Sequence, residues 1–361
     1  MKANIRGPDE PVVHHHYDAD VVTSVLNEEV LGMNKRILAG FALLGALALT
    51  ATGCAGSTAP GADGGSGDGD GPIKVGFAQT GSESGWRSAN TESMKTAFSS
   101  ENGFDLVFNA ADNDPAAQIA AVRDFINQGV DAIVIAPIVT DGWDDVLQEA
   151  KDAGIPVVLE DRTVSASDDL FASWVGLDFK KEGVMAGEWA AEQYGGTATK
   201  MVVLEGTTGS APANDRAAGF DEAISGTQIE KIDSQTGDFT RDGGKKVMEG
   251  FLGKYGVDGI DLVYAHNDDM ALGAIEAIEA AGAKPGEDIK IISVDAVKDG
   301  MLALIDGKIN FIVECNPLLG DLAAGIVKDV LVDKAVEKTY FVTDQSFTPE
   351  QAAEVIDSRL Y

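Results

Sequence analysis

Cysteine is scarce in this chain of 361 residues, with only Cys54 and Cys315, and two thiols cannot build a disulfide framework. Histidine is nearly as rare. Of the four, His14, His15 and His16 are consecutive and lie outside any foldable segment, which leaves little for a histidine metal site. Positive charge is also short, with 27 Lys and Arg against 59 Asp and Glu for a net charge of −32. A chain this acidic repels phosphate backbones and anionic headgroups, so a nucleic-acid or peripheral-membrane role is disfavoured. The apolar run Ile37–Gly53 has 17 residues, short of the about 20 that span a bilayer. No G-x-G-x-x-G follows the first strand-like run, which argues against a dinucleotide site.

What is present begins with that apolar run. Lys35 and Arg36 precede it, giving a positive segment followed by a core of signal-peptide length. Ala51, Thr52 and Gly53 then lead into Cys54, and small residues before a cysteine resemble the lipobox of bacterial lipoproteins. Ala51 departs from that motif, which usually has leucine there. Residues 33–53 are thus expected to be a lipoprotein signal peptide, with Cys54 lipidated. Residues 1–32 carry a net charge of −4, the wrong sign for a signal peptide. They are expected to be a disordered, mis-assigned extension with translation starting at Met33, which mapping the start would check. Residues 54–72, rich in Gly, Ser and Asp, read as a flexible linker. Asp63, Asp68 and Asp70 lack the spacing of a calcium loop. The body that remains carries −27, mostly as solvated surface.

The length suggests two domains, and 44 % apolar with 24 % charged residues is ordinary globular composition. From Ile73 onward, β-rich runs alternate with helical patterns. They are 73–78, 104–110, 132–137, 156–161 and 171–176, then 201–206, 229–235, 262–266, 289–294 and 311–315. Between them Pro115–Gln128 reads as an amphipathic helix with Ile119, Val122 and Ile126 on one stripe. The strand runs are continuously apolar, as in parallel strands buried on both faces, so the fold class is doubly wound α/β. A repeat supports two lobes. Gly129-Val130-Asp131-Ala132-Ile133 and Gly256-Val257-Asp258-Gly259-Ile260 each open a strand, and each is followed by a helix ending in Ala-Gly. Each unit then enters a strand followed by an aspartate, Asp161 or Asp295. Ligands of open α/β sheets bind beyond the carboxyl ends of strands, so two facing sheets make a cleft.

The strand ends carry its chemistry. Gly81–Arg87 follows the first strand, and Asp161-Arg162 the fourth. Asn214-Asp215-Arg216, Asp238–Arg241, Asn267-Asp268-Asp269, Asp295 and Glu314 occupy the ends in the second half. Carboxylates and amides accept from hydroxyls, arginine forks donate to oxygens, and aromatics such as Trp86 and Phe239 cover apolar ring faces, so the set suits a polyhydroxylated ring. Each member also has a structural reading. Asp161, Asn267 and Asp295 would serve as helix N-caps, Trp86 as lobe core, and Arg162 and Arg216 as lobe–lobe salt bridges. His266 beside Asp268 and Asp269 reads as a solvated strand end rather than a metal ligand. Cys315 reads as an inert buried thiol.

These residues bring the chain from Ile73 to Tyr361 into resemblance with the ribose/galactose-binding family of substrate-binding proteins of bacterial ABC sugar importers. The blocks GSESGWR (81–87), QGVDAIVIAP (128–137), SQTGDFTR (234–241), YAHNDDM (264–270) and IISVDAV (291–297) look most like its galactofuranose-binding branch. The resemblance implies the type I periplasmic-binding-protein fold, two lobes joined by three hinge crossovers. The implied first lobe is 73–177 with 315–342, and the second 178–314 with 343–361. It implies ligand contacts from Glu83, Ser84, Gly85, Trp86 and Arg87, from Asp161 and Arg162, and from Arg216, Phe239, Asn267 and Asp295. Glu314 lies near the last hinge strand, where related binders often have glutamine.

The resulting expectation is an extracytoplasmic, monomeric, lipid-anchored receptor that needs no cofactor. It closes on a monosaccharide, with galactofuranose first, and hands it to ABC permease and ATPase subunits. Ribose, arabinose or galactose, or a sugar-sensing role, are the alternatives. A lactose-repressor-type regulator shares such a core but needs an N-terminal helix-turn-helix, where this chain has a signal and an acidic segment. Paired carboxylates would also suit glycoside hydrolysis, and recovery of unchanged sugar separates the two.

Overall fold

In residues 71–361, which the computed structural model describes, local sequence signals and element ends coincide closely. Residues 1–32, the 33–53 segment, Cys54 and all but the last two residues of the 54–72 linker lie outside the described residues. The first half runs β1 (Ile73–Gln79), α1 (Gly85–Ala97), β2 (Phe104–Ala110), α2 (Pro115–Gln128), β3 (Ala132–Ile135), α3 (Asp144–Asp152), β4 (Val157–Asp161) and β5 (Ser173–Gly176). Helix α2 shows why. Asp114 caps its first turn by accepting from Ala116 N at 2.8 Å and Ala117 N at 3.1 Å. Pro115 fills the position where no donor is needed, and Gly129 ends the helix in the left-handed region at φ 62°. Its buried face is centred on Gln118, Val122 and Phe125, while Ile119 and Ile126 flank it half-buried.

The second half runs α4 (Phe179–Tyr194), β6 (Thr199–Glu205), α5 (Ala211–Ala223), β7 (Ile229–Thr236), α6 (Arg241–Tyr255), β8 (Leu262–Ala265), α7 (Asp268–Ala280), β9 (Lys290–Asp295), α8 (Lys298–Ile305) and β10 (Phe311–Glu314). The chain closes with α9 (Gly320–Leu331), β11 (Thr339–Phe341), β12 (Ser346–Phe347) and α10 (Pro349–Val355). The strands form two sheets, ordered β11-β5-β4-β3-β1-β2 and β12-β10-β9-β8-β6-β7. All pairings are parallel except β12 with β10, among the described residues. This is the doubly wound two-lobed α/β architecture. Apolar clusters cover both faces of each sheet.

The chain passes between the sheets after β5, after β10 and after β11. Helix α4 therefore packs with the second lobe through Phe179, Ala186 and Ala190. Helix α9 returns to the first through Ala323, Ile326 and Val327. Continuous burial holds for central strands such as β3, β4 and β8, whereas the outer strands β2 and β7 are mostly half-buried or exposed. Strands β11 and β12, two or three residues long, carry no sequence signal of their own.

The repeat is real but shifted. Asp131 Oδ2 accepts from Lys74 N at 2.7 Å, and Asp261 Oδ2 accepts from Lys200 N at 2.7 Å. Asp131 therefore corresponds to Asp261 and not to Asp258. A 3₁₀ turn at Val257–Gly259 separates the matching letters from the start of β8. The Ala-Gly helix ends do match, since Gly154 and Gly282 both adopt positive φ, 73° and 81°.

Candidate functional site

The carboxyl ends of both sheets converge on one small cleft, as ligand sites of open α/β sheets do. From the first lobe it is lined by Glu83, Ser84, Trp86, Arg87, Asp161 and Arg162, and from the second by Phe179, Pro212, Arg216, Phe239, Asn267 and Asp295. Cys315, at the crossover after β10, completes the wall.

The first-lobe half is built on the start of α1. Ser84 caps that helix by accepting from Arg87 N at 3.1 Å, which fixes where the Arg87 side chain leaves. Its guanidinium then donates to Glu83 Oε1 at 3.1 Å, Asn90 Oδ1 at 3.2 Å and Asp161 Oδ2 at 2.6 Å. Burial works against the Arg87 charge, but Asp161 and Glu83 outweigh it and hold the group firmly protonated. Burial likewise pushes Glu83 up, and Arg87 and Arg162 bring it below its ordinary value. Asp161 ends β4 in the left-handed region at φ 56°. Arg162 Nη1 donates to Ile138 O at 3.2 Å, and its buried Nε has no hydrogen-bond partner, with Asp161 Oδ2 3.6 Å away. Burial and the neighbouring Arg87 lower Arg162 to about 10. Behind this layer Glu160 is fully buried, accepts from Asn90 Nδ2 at 3.1 Å, and is pushed up to about 8 by burial and by Asp161.

The second-lobe half is built on α5. Arg216 Nε donates to Glu182 Oε2 at 2.7 Å and Nη1 to His266 O at 2.6 Å, while Nη2 meets Asp295 Oδ1 only at 3.9 Å. Asp295, which ends β9 at φ 124°, is raised well above its ordinary value by burial, with Arg216 opposing. Asn267 caps α7 by accepting from Met270 N at 3.0 Å and donates to Phe239 O at 3.0 Å. Phe239 follows Asp238, and both have positive φ, 61° and 54°. Such residues cost about 1–3 kcal/mol each. The bend presses the Phe239 ring onto Gly206, where a Cβ would fall 1.9 Å from the ring. Glycine is required there. Across the cleft, Arg162 lies over the Phe239 ring at 5.3 Å.

Asn267 both caps a helix and lines the cavity, whereas Asp161 and Asp295 cap no helix. Trp86 is likewise both core and cavity wall. It packs with the second lobe's apolar cluster and donates from Nε1 to Cys315 O at 2.6 Å. The charged partners of Arg162 and Arg216 are all in their own lobes, so neither arginine is a lobe–lobe salt bridge. Gly85 does not line the cavity; its N–H donates to Asp269 Oδ2 at 2.8 Å. Glu314 does not line it either. Arg359 Nη1 at 2.5 Å and Tyr361 OH at 2.8 Å take its carboxylate, because the chain after α10 folds back over the end of β10.

His266 is not a solvated strand end. It is fully buried, pushed down to about 3 by burial and Arg216, and its Nδ1 accepts from Gly206 N at 3.4 Å. Asp268 is equally buried, taking Ser293 Oγ at 2.6 Å and Val297 N at 2.9 Å. Among the described residues no group of His, Cys, Asp and Glu is placed to hold a metal ion. Cys315 is buried, and burial raises its thiol well above the ordinary range. Sequence reasoning missed Phe179, Pro212 and Glu182. Each comes from a helix start after a crossover or a loop, where one sequence carries no signal of orientation.

Comparison with known proteins places this geometry. Residues 75–335 match the periplasmic binding protein domain. The galactofuranose-binding protein YtfQ of Escherichia coli (strain K12) is 42 % identical over 292 residues, covering 80 % of this chain and 92 % of that protein. A crystal structure from Mycobacterium smegmatis in complex with β-D-fucofuranose is 52 % identical with a TM-score of 0.78, covering 80 % of this chain and 95 % of that one. The arabinose-transporter binding protein of Shewanella sp. ANA-3, bound to α- and β-L-arabinofuranose, is 44 % identical with a TM-score of 0.76, covering 80 % and 95 %.

Proposed function

This chain belongs to the periplasmic binding protein family, and from that premise we propose that it is the sugar receptor of an ABC importer, taking a monosaccharide in its furanose form. Galactofuranose is the first candidate, supported by the likeness to YtfQ, and the ring form by the fucofuranose and arabinofuranose complexes. One observation carries the reading. The interlobe cavity sets three arginines and three carboxylates against three aromatic side chains, Trp86, Phe179 and Phe239, which is the surface a small polyhydroxylated ring needs.

In this reading Asp161, Asp295 and Asn267 accept from sugar hydroxyls. The unpartnered Nε of Arg162 and the loosely paired Nη2 of Arg216 donate to ring and hydroxyl oxygens. Trp86 and Phe239 cover the C–H faces, and Glu83 and Ser84 hold the edge nearest α1. The sugar favours the closed arrangement because it bonds to both lobes at once, and the closed form is what the permease would accept. Lipid attachment at Cys54, membrane anchoring through it, and residues 54–72 as a tether complete the proposal, with the folded body outside the cytoplasm. Loss of labelled-lipid incorporation in Cys54→Ala tests the anchor.

Calorimetry against galactofuranose, fucofuranose, L-arabinose, galactose and ribose tests the ligand. Tightest binding of a furanose, recovered chemically unchanged, is expected. Preference for ribose or a pyranose would overturn the ring form, and no binding at all would overturn the sugar reading.

A further inference from the structure

Two helices meet end to end across the cleft, and both present their N-termini. Helix α1 in the first lobe begins at Gly85, and α7 in the second begins at Asp268. Each end carries a partial positive charge from unpaired N–H groups, so their approach is unfavourable unless an anion stands between them. Asp269 is that anion. It lies in the first turn of α7, is 8 % exposed, and accepts the Gly85 N–H of α1 at 2.8 Å. Ser84 Oγ serves Arg87 N, and Asn267 Oδ1 serves Met270 N, so the two caps leave the Gly85 donor to the opposite lobe. Arg241 Nε stands 3.6 Å from Asp269, and Arg241 also reaches Asp299 at 3.3 Å, which keeps the carboxylate on the second lobe.

Other contacts between the lobes are of a different kind. Thr140 N donates to Gly209 O at 3.0 Å, a neutral bond. The Arg162–Phe239 and Trp86–Cys315 contacts use residues that line the cavity. Asp269 is charged, bridges the lobes and does not touch the cavity.

We propose that Asp269 is an interlobe latch, a positioning residue that holds the closed form by capping α1 from the opposite lobe and so slows release of the ligand it never contacts. The proposal rests on the sugar reading for its ligand but not for its geometry. A residue that stabilises only the closed state lowers the apparent dissociation constant through the closed population. Its effect then falls on dissociation, since the encounter precedes closure.

The test compares wild type, Asp269→Asn and Asp269→Ala in two measurements. Stopped-flow fluorescence with whichever sugar binds wild type most tightly gives the two rate constants. Asp269→Ala is expected to raise the dissociation rate about tenfold and to leave the association rate within about twofold. Asp269→Asn, which keeps an acceptor oxygen but loses the charge, should fall between. Melting of the unliganded variants should stay a single transition close to wild type, since opening the cleft leaves both lobe cores packed, and a large loss of stability would mark a merely structural role. Interlobe energy transfer between dyes on the two lobes, recorded without sugar, should shift toward the open distance in Asp269→Ala. Wild-type release kinetics and an unshifted distance would overturn the latch. Failure of wild type to bind any sugar would overturn the proposed function instead, and the distance measurement would still decide the latch.

Discussion

The two halves of the cleft share a plan and differ in how tightly they are wired. Each presents an aspartate at a strand end in a positive-φ conformation, Asp161 and Asp295, facing an arginine from a helix of the same lobe. In the first lobe that arginine is saturated. Arg87 is committed to Glu83, Asn90 and Asp161, the last at 2.6 Å. In the second lobe Arg216 is anchored by Glu182 and His266 O, and Asp295 stands off at 3.9 Å. A saturated pair is part of the fold, and a slack pair is free to bond elsewhere. In the proposed reading the Arg87–Asp161 pair is therefore a preformed seat, and Arg216 and Asp295, together with the unpartnered Arg162 Nε, are the groups whose bonding would change when a sugar arrives.

The largest effect that would break this contrast is on stability. Asp161→Ala leaves the buried Arg87 fork without its closest partner. It is expected to lower the unfolding free energy by about 3 kcal/mol, as removal of one member of a buried pair does. Urea denaturation measures this, and a wild-type midpoint would show that Asp161 is as slack as Asp295.

The second prediction is the mirror image. Asp295→Ala should weaken sugar binding about tenfold to a hundredfold, the cost of leaving a buried sugar hydroxyl without its partner. It should cost the fold little, since burial already works against its charge. Calorimetry and melting on one sample read both, and a large loss of stability with unchanged affinity would reverse the assignment.

The third and smallest concerns pH. Burial and Asp161 push Glu160 up to about 8 from an ordinary 4.5, so the native state keeps a proton that the unfolded chain has lost between those values. Its share of stability is full below pH 4.5 and declines as pH rises towards 8. Asp268 in the second lobe, pushed up to about 7 by burial, has the same sign. His266, pushed down to about 3 by burial, runs the other way, its share being lost as pH falls below 6.5. Glu160→Gln keeps the acceptor for Asn90 and cannot ionise. Its stability relative to wild type should grow between pH 5 and 8, and a pH-independent difference in urea midpoints would refute the buried proton.

Much of the scaffold was legible because it is written locally. The residues 104–110 and Pro115–Gln128 are the strand and helix they read as, since caps, proline and apolar period all act within a few residues. The repeat misled by three residues, because identical letters at Gly256–Ile260 sit in a 3₁₀ turn rather than in the strand. At the candidate site the pool of strand-end polar residues was legible and its sorting was not. Glu314 has the same sequence character as Asp161 and Asp295, yet Arg359 and Tyr361 occupy it. His266 reads as a solvated strand end beside Asn267 and Asp268, yet it and Asp268 are buried and only Asn267 of the three reaches the cavity.

By itself, then, the sequence determined the strands and helices other than β11 and β12, that they form two similar α/β lobes, and which polar residues stand at strand ends. Those follow from period, capping and local backbone preference. Only the tertiary structure decided which of these residues meet. Arg87 and Asp161 are 74 residues apart, Gly85 and Asp269 184, and Trp86 and Cys315 229. Contacts at such separations depend on how whole sheets and lobes pack, and no local pattern records them.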